Sequence, residues 1–541
     1  MDDVPTRFLS TLATDDVDSL NDFISDNPEL SSHELHQFAI LTILSNCVNS
    51  FKLFVRLLDE PSLSMTSERH SEPLLHTTVL HQRQNMAKFL LENGYDVNSI
   101  NDAKETPLMI ASRIGCLDLI TMLLREDPDV AVRDQKGRAV FHLLARSGSV
   151  GCMAEMLKHV TPNLHVMGSL INSRDIDGMT VLMYASIDGH VEMVSQLVDV
   201  GADVNIVDDR NKTACHWAAR RGHKACVEML LSHGADITAR DCDKRTPLVL
   251  AVERGHRVVL NYTLTKYEEM FFKSSKAKPK LKKDLYEGLP YRQQFDLKMA
   301  LIASVAEGHA ACTELLLDVG TPVDCSATST SDGNFVPISL DEHKVGASNV
   351  MKELSFTSDS TWQCRSLHIA SARTNHICCK LLLDRGADPN QVDSDGNTPL
   401  VYAVGKGDLE IVKELLSHNA DPDINGNVCG ITCSPFDVAA TYGSMKIMLC
   451  LAVSGAKINV SADWMNSKGS DACDHVHHHA LYAGKISWLC DFVCHPKPLQ
   501  EHCRYTLRKL LGNNIHGKIK SLSLPRTLKD ILSIKELNDI N

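Results

Sequence analysis

Residues 177–209 read DGMTVLMYASIDGHVEMVSQLVDVGADVNIVDD, and residues 210–242 read RNKTACHWAARRGHKACVEMLLSHGADITARDC. Laid over each other, the two lines agree in their punctuation. Thr180, Thr213 and Thr246 recur at a step of 33, as do Gly189, Gly222 and Gly255. Self-similarity at a fixed step of this size marks an array of stacked supersecondary units. Working outward, the pattern returns at 103–135 (opening AKETPLMIASRIGCLDLITMLLREDPDV, 103–130) and 394–427 (SDGNTPLVYAVGKGDLEIVKELLSHNADPDINGN), with weaker copies starting near 72, 136, 299, 365 and 428. Each unit reads as two short helices. Thr and Pro suit the first turn of the inner helix, and Ala-Ala or Ala-Ser pairs keep it slim. Gly-His stops it, an outer helix such as VEMVSQLV follows, and Gly-Ala-Asp ends that helix on a left-handed glycine. No single unit can bury its own apolar face, so the stack is the core.

These stretches resemble ankyrin repeats over most of residues 72–463. The resemblance implies an all-α fold, an ankyrin-repeat solenoid with short hairpin loops whose concave surface captures another protein. Loop-tip residues Asp208, Asp209, Arg210, Asn211, Asp241 and Asp243 would line that surface, with His216 and Trp217 near its middle. Two other readings stay open: Asp and Asn are also what such turns require for conformational reasons, and HWAA sits where the inner helix packs.

Composition agrees. The chain has 541 residues, 43% hydrophobic and 23% charged, with only 5% aromatic, an ordinary soluble balance for a helical array. A net charge of −13 argues against general nucleic-acid binding. The N-terminus MDDVPTRFLSTLATDD lacks the basic and apolar regions of a secretory signal, and the apolar stretch at 38–48 is too short to span a bilayer. Eighteen cysteines are then expected as reduced, mostly buried thiols, in a cytoplasmic protein with the nucleus as a second location.

Residues 1–71 read as a helical, degenerate cap. Insertions are expected at 264–298 and 326–363. The first holds seven lysines from Lys266 to Lys283. It is either a solvated loop joining the two helices of one repeat, or a nuclear-localisation patch or basic binding arm, with Met270, Phe271 and Phe272 available for contact. The second is rich in Ser, Thr and Gly.

Residues 464–496 form a degenerate repeat or linker. Within it lie Cys473, His475, His477, His478, His479, Cys490, Cys494 and His495, ligand types that zinc favours. Their spacing matches no familiar finger, so structural histidines are the preferred reading, with no metal or cofactor. An Asp-His-His-Cys acyltransferase cluster is absent, and no catalytic residue is expected.

The tail is different. PLQEHCRYTLRKLLGNN (498–514) puts Leu499, Cys503, Leu507 and Leu511 on one stripe, with Glu501 in the first turn, Arg508 and Lys509 in the last, and Gly512 as a stop. NNIHGKIKSL and LSLPRTLKDILSI follow as two further short helical stretches. Three such helices in so few residues fall below the size that folds alone, so something must cover them. The stripe could cap the last repeat. Residues 497–534 also resemble a SOCS box, followed by a tail at 535–541. That resemblance implies elongin C binding through Leu499, Cys503, Leu507 and Leu511, together with elongin B, and engagement of cullin five with its RING protein through Leu522, Leu524 and Pro525. The usual Leu-Pro-Leu-Pro here reads Leu522-Ser523-Leu524-Pro525. Residues 497–535 carry nine Lys and Arg against two Asp and Glu, so the tail is basic on an acidic chain.

The chain is thus similar to ankyrin repeat and SOCS box proteins. The implied function is a non-catalytic substrate-recognition subunit of an elongin–cullin–RING ubiquitin ligase that sends an unknown protein substrate to ubiquitination and degradation. No nucleic-acid or membrane partner is implied. The alternative is an ankyrin scaffold without productive cullin engagement.

Overall fold

The computed structural model describes Asp15 and residues 17–27, 30–58, 73–160, 164–272, 285–325, 365–428, 431–442 and 444–457. It divides into two compact units between Cys242 and Asp243. Both are helical and built from the paired short helices that the period predicts. The described strands, Gly426–Val428 and Ile431–Cys433, pair antiparallel with Asn427 opposite Thr432.

In the first unit the inner helices Leu74–Leu80, Pro107–Ile114, Val140–Ser147, Val181–Asp188 and Ala214–Arg221 pack successively side by side. The outer helices include Leu117–Leu124, Val191–Asp199 and Lys224–Ser232. Thr106, Thr180 and Thr213 cap their inner helices, each hydroxyl accepting the N–H three residues on, as the threonine positions predict. Ala111, Ala145, Ala185, Ala218 and Ala219 are fully buried, which lets helices lie close. Ahead of the repeats stand Val17–Asp26, Ser32–Ser45 and Val48–Leu57. Phe51 stacks edge-on against Phe89 at 6.5 Å, joining these helices to the first repeat.

The Gly-His pair does more than stop a helix. His190 and His223 each reach back one repeat, their Nε2–H donating to the carbonyls of Arg146 (3.2 Å) and Ile187 (3.0 Å). Those carbonyls lie in the last turn of the preceding inner helix, where no intrahelical donor exists. The glycine is required for the same contact. Gly189 holds φ +79°, and a Cβ there would fall 2.5 Å from His223 Nδ1. The histidine three residues after a cap makes a second tie. His142 Nδ1 accepts the Ala139 N–H at 3.1 Å, so Nε2 carries the proton it donates to Ser173 in the next loop. A third tie is amide-borne: Asn172 and Asn205 accept from the N–H of Asp203 and Asp236 one repeat on.

One helix was not foreseen. Leu164–Ile171 follows the outer helix Val150–Val160 and stretches this repeat beyond the common step.

The second unit contains Pro247–Glu253 with Arg257–Phe272, Tyr291–Ala306 with Ala310–Asp318, Ser366–Ala372 with His376–Asp384, Pro399–Gly405 with Leu409–Ser417, and Pro435–Thr441 with Met445–Val453. Here the expectation about the lysine-rich segment needs correction. Residues 264–272 continue the outer helix Arg257–Phe272, and the next inner helix begins at Tyr291 rather than near 299. The segment therefore joins two successive repeats, not the two helices of one. Tyr267 is fully buried and stacks against Phe271, which is why the helix runs on. Met270 stays exposed, and Lys266 pairs with Glu269 at 2.8 Å. The insertion at 326–363 lies outside the described residues. Its flanks meet, with the Ser366 N–H donating to the Cys325 carbonyl at 3.1 Å.

Candidate binding surfaces

The loop tips of the first unit are organised by one carboxylate per hairpin. Asp208 Oδ1 accepts the N–H of Arg210 (2.9 Å) and Lys212 (2.8 Å), and Oδ2 accepts Trp217 Nε1–H (3.0 Å). Asp175 repeats the pattern with Asp177, Met179 and the Tyr184 hydroxyl. Asp134 does so with Lys136, Arg138 and the Arg138 guanidinium. Each tip is stitched to the one before it by a backbone bond: Ile176 N–H to Lys136, Asp209 to Asp177, Cys242 to Arg210. Arg174 adds a bridge to Asp209 at 2.8 Å.

The residues expected at a substrate surface therefore separate. Asp208, Asp241 and His216 are buried. Asp208 is the hairpin's internal anchor, and His216 Nδ1 accepts the Thr213 N–H at 3.1 Å. Asp209, Arg210 and Asn211 are exposed at the tip, Asn211 in the left-handed region at φ 56°. Trp217 is half-buried, with Lys212 Nζ 5.3 Å and Arg220 Cζ 5.6 Å from its ring centroid. Asp243 belongs to the second unit, where it pairs with the Arg245 guanidinium.

The reading of the sequence missed the neighbours that share Trp217's register. One repeat earlier that position is Tyr184, also half-buried, whose hydroxyl donates to Asp175 at 2.8 Å and whose ring stands edge-on to His142 at 5.7 Å. Burial first, and then the bond to Asp175, pushes the Tyr184 hydroxyl pKa up, so it stays protonated and pinned. Three residues further along the successive inner helices come Arg113, Arg146, Ile187 and Arg220. The available signal was that the Trp217 position changes at every repeat (Ile110, Leu143, Tyr184, Trp217) while the glycine stop (Gly115, Gly148, Gly189, Gly222) does not.

Thiols behave as the composition suggested. Cys152, Cys226, Cys312 and Cys378 are buried, and burial pushes the Cys215 thiol up to about 12. Cys242 is exposed. Among the described residues no group of three or more His, Cys, Asp or Glu is placed to hold a metal ion, and no helix is long and apolar enough to cross a membrane. Cys473 to His495 lie outside the described residues. So do the tail residues Leu499, Cys503, Leu507, Leu511, Leu522, Leu524 and Pro525.

Comparison with known proteins adds what geometry alone does not. The ankyrin-repeat family model matches residues 40–134, 75–166, 108–208, 141–241, 201–274 and 367–462, and the SOCS box model matches 495–533. The chain is 33% identical over 141 residues to human NF-kappa-B inhibitor alpha, covering 25% of this chain and 43% of that protein. It is 29% identical over 168 residues to mouse ankyrin repeat and SOCS box protein 11, covering 31% and 48%. Against ankyrin repeat protein nuc-2 of Neurospora crassa it is 26% identical over 170 residues, 31% of this chain and 14% of that one. The chain spans less than half the length of these curated relatives. Repeats in both units followed by that C-terminal match settle the family: the chain belongs to the ankyrin repeat proteins and joins its repeats to a SOCS box, as ankyrin repeat and SOCS box proteins do.

Proposed function

We propose that this chain is a substrate-recognition subunit of a cullin–RING ubiquitin ligase. The observation that carries the reading is the SOCS box match at 495–533 on the C-terminal side of an ankyrin array whose last match ends at 462. In this reading Leu499, Cys503, Leu507 and Leu511 dock on elongin C, in complex with elongin B, as a helix in a groove. Leu522, Leu524 and Pro525 contact cullin five with its RING protein. The ankyrin face holds a target whose lysine is brought to a charged E2 enzyme. The chain contributes proximity rather than a nucleophile, so it is a non-catalytic receptor. The outcome is ubiquitination and degradation of the target, in the cytoplasm.

Ser523 supports a second reading. It stands where the cullin-directed motif usually has proline, and a scaffold that binds elongins without productive cullin engagement would tolerate it. Pull-down of the full chain with elongin B/C, then with cullin five, separates the two. Wild type should retain both, and a Leu499→Ala, Cys503→Ala variant should lose both, since truncating one buried anchor costs about 2 kcal/mol or more. Elongin retention without cullin favours the scaffold. Binding of neither by wild type sinks both.

A further inference from the structure

In the first unit, the inner helices Val181–Asp188 and Ala214–Arg221 pack side by side and place Tyr184 beside Ile187 and Trp217 beside Arg220, one turn apart on each helix. All four are half-buried, so this register is a partly open face rather than core. Arginines flank it. Arg146 is exposed in the last turn of Val140–Ser147, and Arg221 is exposed at the end of Ala214–Arg221. Neither makes an ion pair among the described residues, whereas Arg113, further along, is tied to Glu105 at 3.5 Å. Asp188 is the exposed carboxylate in this register, and the arginines outnumber it.

The rings are held before anything binds. The Tyr184 hydroxyl and the Trp217 indole N–H are both spent on hairpin carboxylates, the half-buried Asp175 and the buried Asp208. What remains to offer is ring surface, the Ile187 side chain and guanidinium groups. Trp, Tyr and Arg on a pre-organised patch are the residue types that dominate protein interfaces, because they bring contact area at small ordering cost. The patch is also the opposite sign to the chain as a whole, whose net charge is −13. A duplex or single strand would meet that overall repulsion, whereas a short acidic segment fits the local field alone.

We propose that the face formed by Arg146, Tyr184, Ile187, Trp217, Arg220 and Arg221 recognises an acidic protein segment carrying one apolar side chain among its carboxylates. The apolar group packs on Ile187 and the two rings, and the carboxylates take the guanidinium forks of the flanking arginines. This rests on the receptor reading above and specifies the class of substrate segment.

The test uses the full chain co-purified with elongin B/C and a fluorescein-labelled twelve-residue peptide of glutamates around a central leucine. Fluorescence anisotropy should show saturable binding that weakens as salt rises. An Arg146→Glu, Arg221→Glu variant should bind about tenfold more weakly, and a peptide with lysine in place of glutamate should gain on that variant what the glutamate peptide loses. Both substitutions are at exposed positions, and unchanged elongin co-purification and melting curve show that the variant is folded. Ile187→Asp should weaken the glutamate peptide as well, through repulsion and lost apolar contact. Equal binding of glutamate and lysine peptides by wild type overturns the proposal, as does an unchanged affinity in the arginine variant or tighter binding of a DNA duplex than of the peptide. Failure to hold elongins is a separate result: it removes the receptor reading and leaves the peptide measurement standing.

Discussion

The two units solve one problem under different constraints. In residues 103–242 the chain returns to register at nearly every step. Between Asp243 and Lys457 it is interrupted twice. Yet the ties between neighbouring repeats are the same. His223 reaches the Ile187 carbonyl 36 residues back at 3.0 Å. In the second unit His309 makes the equivalent bond to Glu253 across 56 residues at 3.1 Å. Asn375 makes it to Val305 across 70 residues, an amide N–H replacing the imidazole. Stacking is therefore set by the geometry of adjacent helix pairs and not by chain distance, which is what a nearest-neighbour architecture requires. For a flexible connection the added cost of length is loop-closure entropy, which grows slowly.

The largest expected effect is acid loss, and it tests whether the units differ. In the first unit burial depresses the pKa of His76 to about 4, with hydrogen bonds to backbone carbonyls partly opposing it, and burial also lowers His36 and His142. In the second unit it lowers His368. A folded pKa below the unfolded value of about 6.5 means that the unfolded chain binds more protons in that window. Stability present above pH 6.5 should drain away as pH falls toward 4, by about 3 kcal/mol for His76 alone. Peptide-resolved hydrogen exchange, corrected for intrinsic rate, should show residues 73–160 opening before residues 365–417 as pH falls from 7 to 5. His76→Gln should flatten the slope near residues 73–115. Uniform opening of both regions would break the comparison.

A pair of glycines tests the equivalence of the ties. Gly189 and Gly255 hold φ +79° and +75°, and an added Cβ would fall 2.5 Å from His223 and 2.7 Å from His309 respectively. Alanine at either combines left-handed strain with a clash against a ring that is itself hydrogen-bonded, a cost of about 2–3 kcal/mol. Gly201→Ala is the control, since φ there is +96° but nothing lies within 4 Å, and it should cost about 1 kcal/mol. Matching losses at 189 and 255 in denaturant titrations support equal ties. A loss at 255 no larger than at 201 would show that the longer connection has loosened its tie.

How much of this was legible beforehand follows from what each signal encodes. Threonine caps, slim alanines and left-handed glycines are local requirements, so they recur in the text and were read correctly. The histidine after glycine also recurs, but its partner is a carbonyl one repeat back. Spacing alone shows that it is wanted, not what it holds. The ankyrin resemblance put Asp208 on the binding surface and turn chemistry was the alternative; its carboxylate turns inward to three N–H groups, two of them backbone groups of its own turn, so the alternative is the one the structure bears out. The same composition serves an exposed tip and an internal anchor. Leu164–Ile171 and the extended helices around the lysine-rich segment escaped because they obey no period. Only burial of residues such as Tyr267 selects them. The Tyr184–Trp217 face was half visible: Trp217 was singled out, but its company depends on which helices lie side by side.

The smallest effect isolates chain length itself. The flanks of the second insertion are held together by the Ser366 N–H to Cys325 carbonyl bond at 3.1 Å. Replacing residues 327–363 with a six-residue Gly-Ser linker leaves that junction intact and removes between two and three doublings of connecting length. At about 0.6 kcal/mol per doubling the second unit should gain about 1–2 kcal/mol. Thermal melts of the two forms, together with exchange rates at the amides of residues 366–384, read the difference. A gain of that size makes the segment an entropic cost that the stack tolerates. A loss makes it a packing partner of the repeats it connects, and the interruption would then be part of the core rather than a departure from it.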